Sequence, residues 1–394
     1  MPSGSETSWR VLVALRAYDN EGHVGTCLTS LAHLEPGAHS VDVLVLDDAS
    51  PVAGWSGQCR EMTESRGFGY YRSPRNLGTS RSMNLGMLRA VDAGYDAVVL
   101  LNIASIVPAN MIPTLLSPLM EDALISSSTA LSNNSGVNRI PNSDPNHLAD
   151  ASGLVDWVSE QMDEEFAGLA IPVPSGDGLC MAIPTQVISD IGLMDPVFAC
   201  GHAAQVDWCL RSQTLGYHSV LAPSCFVYDA GSDTVKVEGA RGGGNQDVRV
   251  NQAIVSERHP QYLSQLTAAN GSSILHDMRE RGLRRIIITA ARENGYRLET
   301  SHLHQNADET DVVRFRLDPD GEASVITATF EGFETHFAVG EEGVLPTVEA
   351  IVGLPPQEVR IFDRGGAASQ LEADIARTGT IPVVYRAPYW ERVF

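Results

Sequence analysis

Runs of apolar residues punctuate the first half of the chain at short, regular spacing. Arg10 to Leu15, Val41 to Leu46 and Ala97 to Leu101 are apolar and rich in β-branched residues, which predicts buried strands. Gly67 to Arg72 reads as a shorter strand, and Thr26 to Leu34 and Thr79 to Ala93 carry helical periodicity. Strands alternating with helices in this way predict a parallel, doubly wound α/β sheet. Ligands of such sheets bind beyond the carboxyl ends of the strands. That places Asp47, Asp48 and the Asn102 to Ser105 stretch at the mouth of a site. Further on, Ala151 to Phe166, Pro184 to Ile191, Val206 to Leu215 and Asn251 to His259 read as helices, and Asp177 to Ile183 and His218 to Ala222 as strands. Leu131 to Asp150 is rich in Asn, Ser, Pro and Asp and reads as a long surface loop. Ser232 to Asn245, with its glycines, Lys236 and Arg241, reads as a mobile one.

The pattern changes after about Asn270. Ile274 to Arg281 reads as an amphipathic helix and Arg285 to Thr289 as a β-branched strand. Val312 to Leu317, Ser324 to Phe330 and Thr335 to Val339 alternate like half-exposed antiparallel strands. Pro346 to Val352 and Ser369 to Arg377 read as helices, with Val359 to Phe362 and Ile381 to Tyr385 as strands. The expected division is residues 1–265 and 266–394, the second an α+β unit for oligomerisation or acceptor positioning, with a homodimer expected through its antiparallel strands.

Composition narrows the function classes. The 394 residues include 27 basic and 49 acidic ones, a net charge of −22, and Lys236 is the only lysine. Nucleic acids and anionic membranes both require a positive footprint, so neither is an expected partner. No apolar run reaches the ~18 residues of a membrane span, and the polar N-terminus lacks a signal-peptide layout; the expectation is a soluble, cytoplasmic protein. None of the six cysteines forms a Cys-x-x-Cys pair, which disfavours a zinc ribbon or a thioredoxin-like site.

Several blocks in the first 260 residues occur in an order that resembles the family 2 glycosyltransferases. Val43-Leu44-Val45-Leu46-Asp47-Asp48-Ala49-Ser50 is similar to their first strand–helix–strand unit with its Asp-Asp-x-Ser end. Asn76-Leu77-Gly78 with Asn84-Leu85-Gly86, Gly192-Leu193-Met194-Asp195-Pro196-Val197-Phe198, and Val206-Asp207-Trp208-Cys209-Leu210-Arg211 resemble later blocks. The resemblance implies a GT-A fold, a mixed sheet with helices on both faces, and transfer of a sugar from a nucleoside-diphosphate sugar to a small-molecule acceptor. It implies nucleobase contacts from Asp47 and Asp48, although Asp at a strand end also caps turns well. It places Arg75 near the nucleotide, where a solvated arginine is the alternative.

Three positions depart from that family. The Asp-x-Asp that binds Mg2+ or Mn2+ is replaced by Asn102-Ile103-Ala104-Ser105, the carboxylate pair that includes the base by Ala204-Gln205, and a metal-supporting histidine by Asp229. The expectations are therefore no cofactor, a transfer that does not require a divalent metal, and diphosphate contacts from Asn102, Ser105, Lys236 and Arg241, with cations offsetting its charge. Gln205 cannot take a proton near neutral pH. Asp207, Asp177 and His202 are the candidate bases, and Asp207 equally supports a helix start. A missing base favours an acceptor such as a thiol, thione or anion that needs little help in ionising. In this the chain resembles transferases of actinobacterial antibiotic pathways such as lincosamide assembly, which join a small thiol to a sugar. A catalytically inactive module that binds a sugar nucleotide is the competing reading. His302 and His304 share a strand face and could bind a metal or simply be solvated.

Overall fold

The structure is a computed structural model that describes the chain apart from residues 1–7, 19–21, 135, 141–151, 177, 199–201, 231–243, 301–311, 318–324, 362–365, 379–382 and 387–394. The chain divides into two compact units whose main boundary lies between Met278 and Arg279.

The first unit opens with β1 (Arg10–Ala17), α1 (Val24–Ala32), β2 (Ser40–Asp47), α2 (Trp55–Glu64), β3 (Gly69–Arg72), α3 (Thr79–Asp92), β4 (Ala97–Asn102) and the short β5 (Ser105–Ile106). There follow α4 (Met111–Glu121), β6 (Ile125–Ser132), α5 (Ser152–Phe166), β7 (Ile171–Val173), β8 (Cys180–Pro184), α6 (Thr185–Ile191), α7 (Ala203–Thr214) and β9 (His218–Asp229). The unit closes with α8 (Gly244–Arg258), α9 (Tyr262–Asn270) and the start of α10 (Ser273–Asn294). Its mixed sheet runs β3-β2-β1-β4-β8-β6-β9-β5, with β7 paired to β9. The first four strands are parallel, and β8 lies antiparallel between β4 and β6.

Side chains of a strand alternate between its faces, and β1 divides its residues accordingly. Val11, Val13 and Leu15 enter a core completed by α1, α2 and α4, whereas Leu12 and Ala14 enter a second core with α3, α6 and α7. Helices thus cover both faces, as the α/β pattern predicts. A Cβ at Gly86 would lie 2.6 Å from the Ala14 Cβ, so α3 approaches β1 at a distance only glycine allows. The blocks that gave the family resemblance meet here as packing. The Asn84 side chain bonds both the amide and the carbonyl of Met194, and the Trp208 indole donates to the Gly192 carbonyl.

Several elements differ from expectation. α2 and α4 fall in stretches that carried no assignment. β6 contains Ser126-Ser127-Ser128-Thr129, a polar run that carried no assignment, yet all eight of its residues are buried. Its hydroxyls bond those of β9 and α7: Ser127 to Ser219 at 2.9 Å and Ser212 to Ser126 at 2.9 Å. Arg285 to Thr289, expected as a strand, lies inside α10. Its buried positions Leu283, Ile286, Ile287, Ala290 and Ala291 keep a helical spacing, and packing overrides β-branched propensity.

The second unit holds the rest of α10, then β10 (Tyr296–Thr300), β11 (Val313–Leu317), β12 (Val325–Phe330), β13 (Phe333–Ala338), α11 (Val344–Val352), β14 (Glu358–Ile361), α12 (Gly366–Thr378) and β15 (Val383–Arg386). Its sheet runs β13-β12-β11-β10-β14-β15. The hairpin strands β12 and β13 are antiparallel with alternating exposure, as predicted. β11 is buried throughout, because it joins the parallel part formed with β10, β14 and β15. His302 and His304 lie outside the described residues.

Candidate functional site

The carboxyl ends of β1, β2, β3 and β4 share one edge of the sheet, as their parallel pairing requires. Asp47 and Asp48 both end up there fully buried. Asp48 accepts from Arg16 Nε and Nη2, each at 2.9 Å, and from the amides of Leu77 and Gly78 at 2.6 and 3.1 Å. A carboxylate offers about four acceptor positions; three of these contacts fall on Oδ2 and one on Oδ1. Asp48 therefore fixes the turn that opens α3, and with it the exposed Arg75 two residues earlier. Asp47 accepts the Tyr70 hydroxyl at 2.7 Å and the Ser50 amide at 2.9 Å, with Arg72 Nε at 3.5 Å. Burial would raise its carboxyl pKa, but hydrogen bonds, those from Tyr70 and Ser50 among them, outweigh it and hold it below the usual range. Between Asp48 and Ser50 the backbone of Ala49 is left-handed, with φ 55°. A non-glycine residue pays to be there, and such strain concentrates at ligand sites.

On the far side of β4, the short β5 pairs Ser105 with Asp229 at the end of β9. Paired residues in a sheet present their side chains to the same face. The buried Ser105 hydroxyl has no hydrogen-bond partner. Asp229 accepts from Asn134 Nδ2 at 3.2 Å, while Asn133 clamps its backbone through its amide at 2.7 Å and its carbonyl at 3.1 Å. The Asn102 side chain accepts the Ala104 amide at 3.0 Å and holds the turn between β4 and β5. A partnerless hydroxyl beside a carboxylate and side-chain amides is a set of hard oxygen donors. Such a set suits a divalent cation that completes its shell with phosphate oxygens. Among the described residues no three His, Cys, Asp or Glu side chains converge into a cage of their own.

The base candidates separate. Asp207 on α7 is buried and accepts Arg211 Nε at 2.9 Å, His259 Nε2 at 3.0 Å and Arg258 Nη1 at 3.3 Å. Arg258 also pairs with Asp195 at 2.8 Å. Asp207 therefore joins α7, the end of α8 and the Gly192 to Phe198 segment, and its oxygens face cations of the protein. The structure draws His202 and Gln205 together on the first turn of α7, against Gly178. A Cβ there would meet Gln205 Nε2 at 2.5 Å and His202 Nδ1 at 3.3 Å. His202 is exposed, whereas Gln205 is buried with its carbonyl oxygen unpartnered. Asp177, Lys236 and Arg241 lie outside the described residues.

Arg16, Tyr70, Asn133 and Asn134 had no place in the sequence reading. Arg16 carried one visible signal, a lone charge closing an apolar strand, since charged residues are rarely buried without a partner.

No protein-family model matches the sequence, and no curated protein matches it. Solved structures do resemble it. GalNAc-T7 with UDP, GalNAc and Mn2+ has a TM-score of 0.44 at 16% identity, over 56% of this chain; the chain spans only 42% of that protein's length. The mannosyltransferase PcManGT from Pyrobaculum calidifontis, in complex with GDP-Man and Mn2+, has a TM-score of 0.44 at 16% identity, over 74% of this chain and 77% of that one. Glucosyl-3-phosphoglycerate synthase from Mycobacterium tuberculosis, with Mn2+, UDP-Glc and phosphoglyceric acid, has a TM-score of 0.32 at 16% identity, over 51% and 63%. Likeness at this distance concerns the fold of the sheet. All three structures hold Mn2+, which goes against the expectation that no divalent metal takes part. β5 and β9 bring a carboxylate, Asp229, opposite Ser105 from distant parts of the chain. Among the described residues no helix is long and apolar enough to cross a membrane.

Proposed function

We propose that the first unit binds a nucleoside-diphosphate sugar at the carboxyl edge of its sheet and transfers the sugar to a small-molecule acceptor. The observation that carries this reading is the partnerless Ser105 hydroxyl set beside Asp229 where β5 meets β9. Ser105, Asp229 and Asn134 would hold a divalent cation together with the diphosphate. When bound, that cation would offset the negative charge of the leaving group. Arg75, fixed in place by the grip of Asp48 on Leu77 and Gly78, lies on the same edge and would pair with a phosphate oxygen. Asp47 and Asp48 act as positioning residues that shape the Ala49 turn against the nucleoside.

In the transfer, the nucleophilic atom of the acceptor forms a bond to the anomeric carbon. The bond from that carbon to the diphosphate oxygen breaks, and its electron pair leaves with the nucleoside diphosphate. The acceptor's proton goes to the exposed His202 ring. Asp207 is committed to its arginines, and an amide such as Gln205 accepts no proton. A thiol, which ionises near neutral pH, depends least on such a base, so a sulfur acceptor suits this arrangement. Release of nucleoside diphosphate from UDP- and GDP-sugars tests the assignment, and Asp229→Asn should slow it by about 10²-fold, the scale for loss of one charge-stabilising group. An unchanged rate in Asp229→Asn would refute that role.

Gln205 in place of a carboxylate favours a second reading, a module that binds a sugar nucleotide without turning it over. Nucleotide binding with no diphosphate released in the presence of Mn2+ would select it. The β13 edge of the second unit is where a second copy would pair to form a homodimer, and light scattering of the full chain reads that state.

A further inference from the structure

α7, α8 and α9 enclose a cavity of about 570 Å3 in the first unit. Val206, Val255, Tyr262, Leu263 and Leu266 form much of its wall, and His202 stands at one end. Among the described residues its lining contains no carboxylate, lysine or arginine, and Asn251, Gln252 and Ser256 make part of it polar. In a chain of net charge −22, an uncharged lining of this extent selects a neutral ligand and offers nothing to a diphosphate. The volume falls in the range of small-molecule pockets, roughly 300–1,000 Å3.

The geometry of α7 joins this cavity to the base candidates. Ala203 and Val206 face the cavity, Gln205 lies to the other side of the helix, and His202 stands between them at the helix start. A ligand filling the cavity would thus end against the His202 ring at the helix start. We propose that the cavity binds the apolar body of the sugar acceptor, a neutral amphipathic small molecule whose nucleophilic O–H or S–H meets the His202 ring. This deepens the transferase reading and rests on it.

The neutral fluorophore N-phenyl-1-naphthylamine tests the cavity on the full chain, without any donor. Saturable binding is expected, weakened at least tenfold in both Leu263→Asp, at the exposed lip, and Ala203→Trp, which fills the space. Unchanged melting temperatures would show that both variants fold. No saturable binding, or binding that both variants retain, overturns the cavity's role. Orientation is read from a pair of competitors: 1-naphthol should displace the probe better than 1-methoxynaphthalene, and His202→Phe should abolish the difference. A preference that is absent, or that survives His202→Phe, overturns the assignment of the polar end. Failure of the transferase reading would instead show as loss of nucleotide binding with probe binding intact.

Discussion

Asp207 lies between two arginines and a histidine; without its carboxylate Arg258 keeps Asp195 and Arg211 keeps the Ile191 and Leu193 carbonyls. Breaking a fully buried pair from one side costs about 3–5 kcal/mol, and the partial exposure of both arginines reduces this. Asp207→Ala should therefore lower the unfolding free energy by about 1–3 kcal/mol in urea titration, with a matching loss of activity through stability alone. Asp47 makes a prediction with a sign. Its folded pKa lies below the unfolded value of about 3.9. The stability it contributes is therefore complete above about pH 4 and fades as pH falls through the folded value. Asp47→Asn should flatten the acid limb of the stability–pH curve. The buried thiols should be inert: burial pushes Cys27 and Cys225 up to about 12 and Cys59 up to about 11. Iodoacetamide at pH 8 should leave these three unlabelled until the protein unfolds, as a peptide map would show. At this scale the sequence placed Asp47 and Asp48 at the carboxyl end of a strand but could not say what they bond. Their partners Tyr70 and Arg16 lie 23 and 32 residues away, and only the parallel pairing of the strands brings them in.

The elements that sequence patterning missed are those whose stability comes from neighbours. β6 carried no assignment because its serines interrupt any apolar period, and its hydroxyls become tolerable in a core only once β9 and α7 supply partners. Ser219→Ala should cost about 1–3 kcal/mol by depriving the Ser127 hydroxyl of its acceptor. Ser128→Ala removes a hydroxyl that has no partner and should leave stability equal or higher. Thermal unfolding of the two variants side by side distinguishes a paired hydroxyl from an orphan on the same strand. β5 is two residues long and has no periodicity to detect, yet it sets Ser105 against Asp229. β1, β2, β4 and α3 were legible because each carries its own apolar period.

On the scale of the whole molecule, a chain of charge −22 must collect cations wherever it is to hold a nucleoside diphosphate. In the proposed site the carboxyl edge would do this with Arg72 at the end of β3 and Arg75 beyond it, and with oxygen donors for a divalent ion between β5 and β9. The α/β order of the first unit was readable from spacing. The parallel part of the second unit was not, because its strands are short and only packing shows that β11 is buried on both faces. The most direct test of nucleotide binding at that edge is a thermal-shift panel of UDP, GDP and dTDP, each with and without Mn2+. A ligand at 100 times its Kd stabilises the native state by about 2.7 kcal/mol. One nucleotide should raise the melting temperature, more so with Mn2+, and Asp229→Asn should lose the Mn2+-dependent part. No shift with any nucleotide at any Mn2+ concentration would contradict the account.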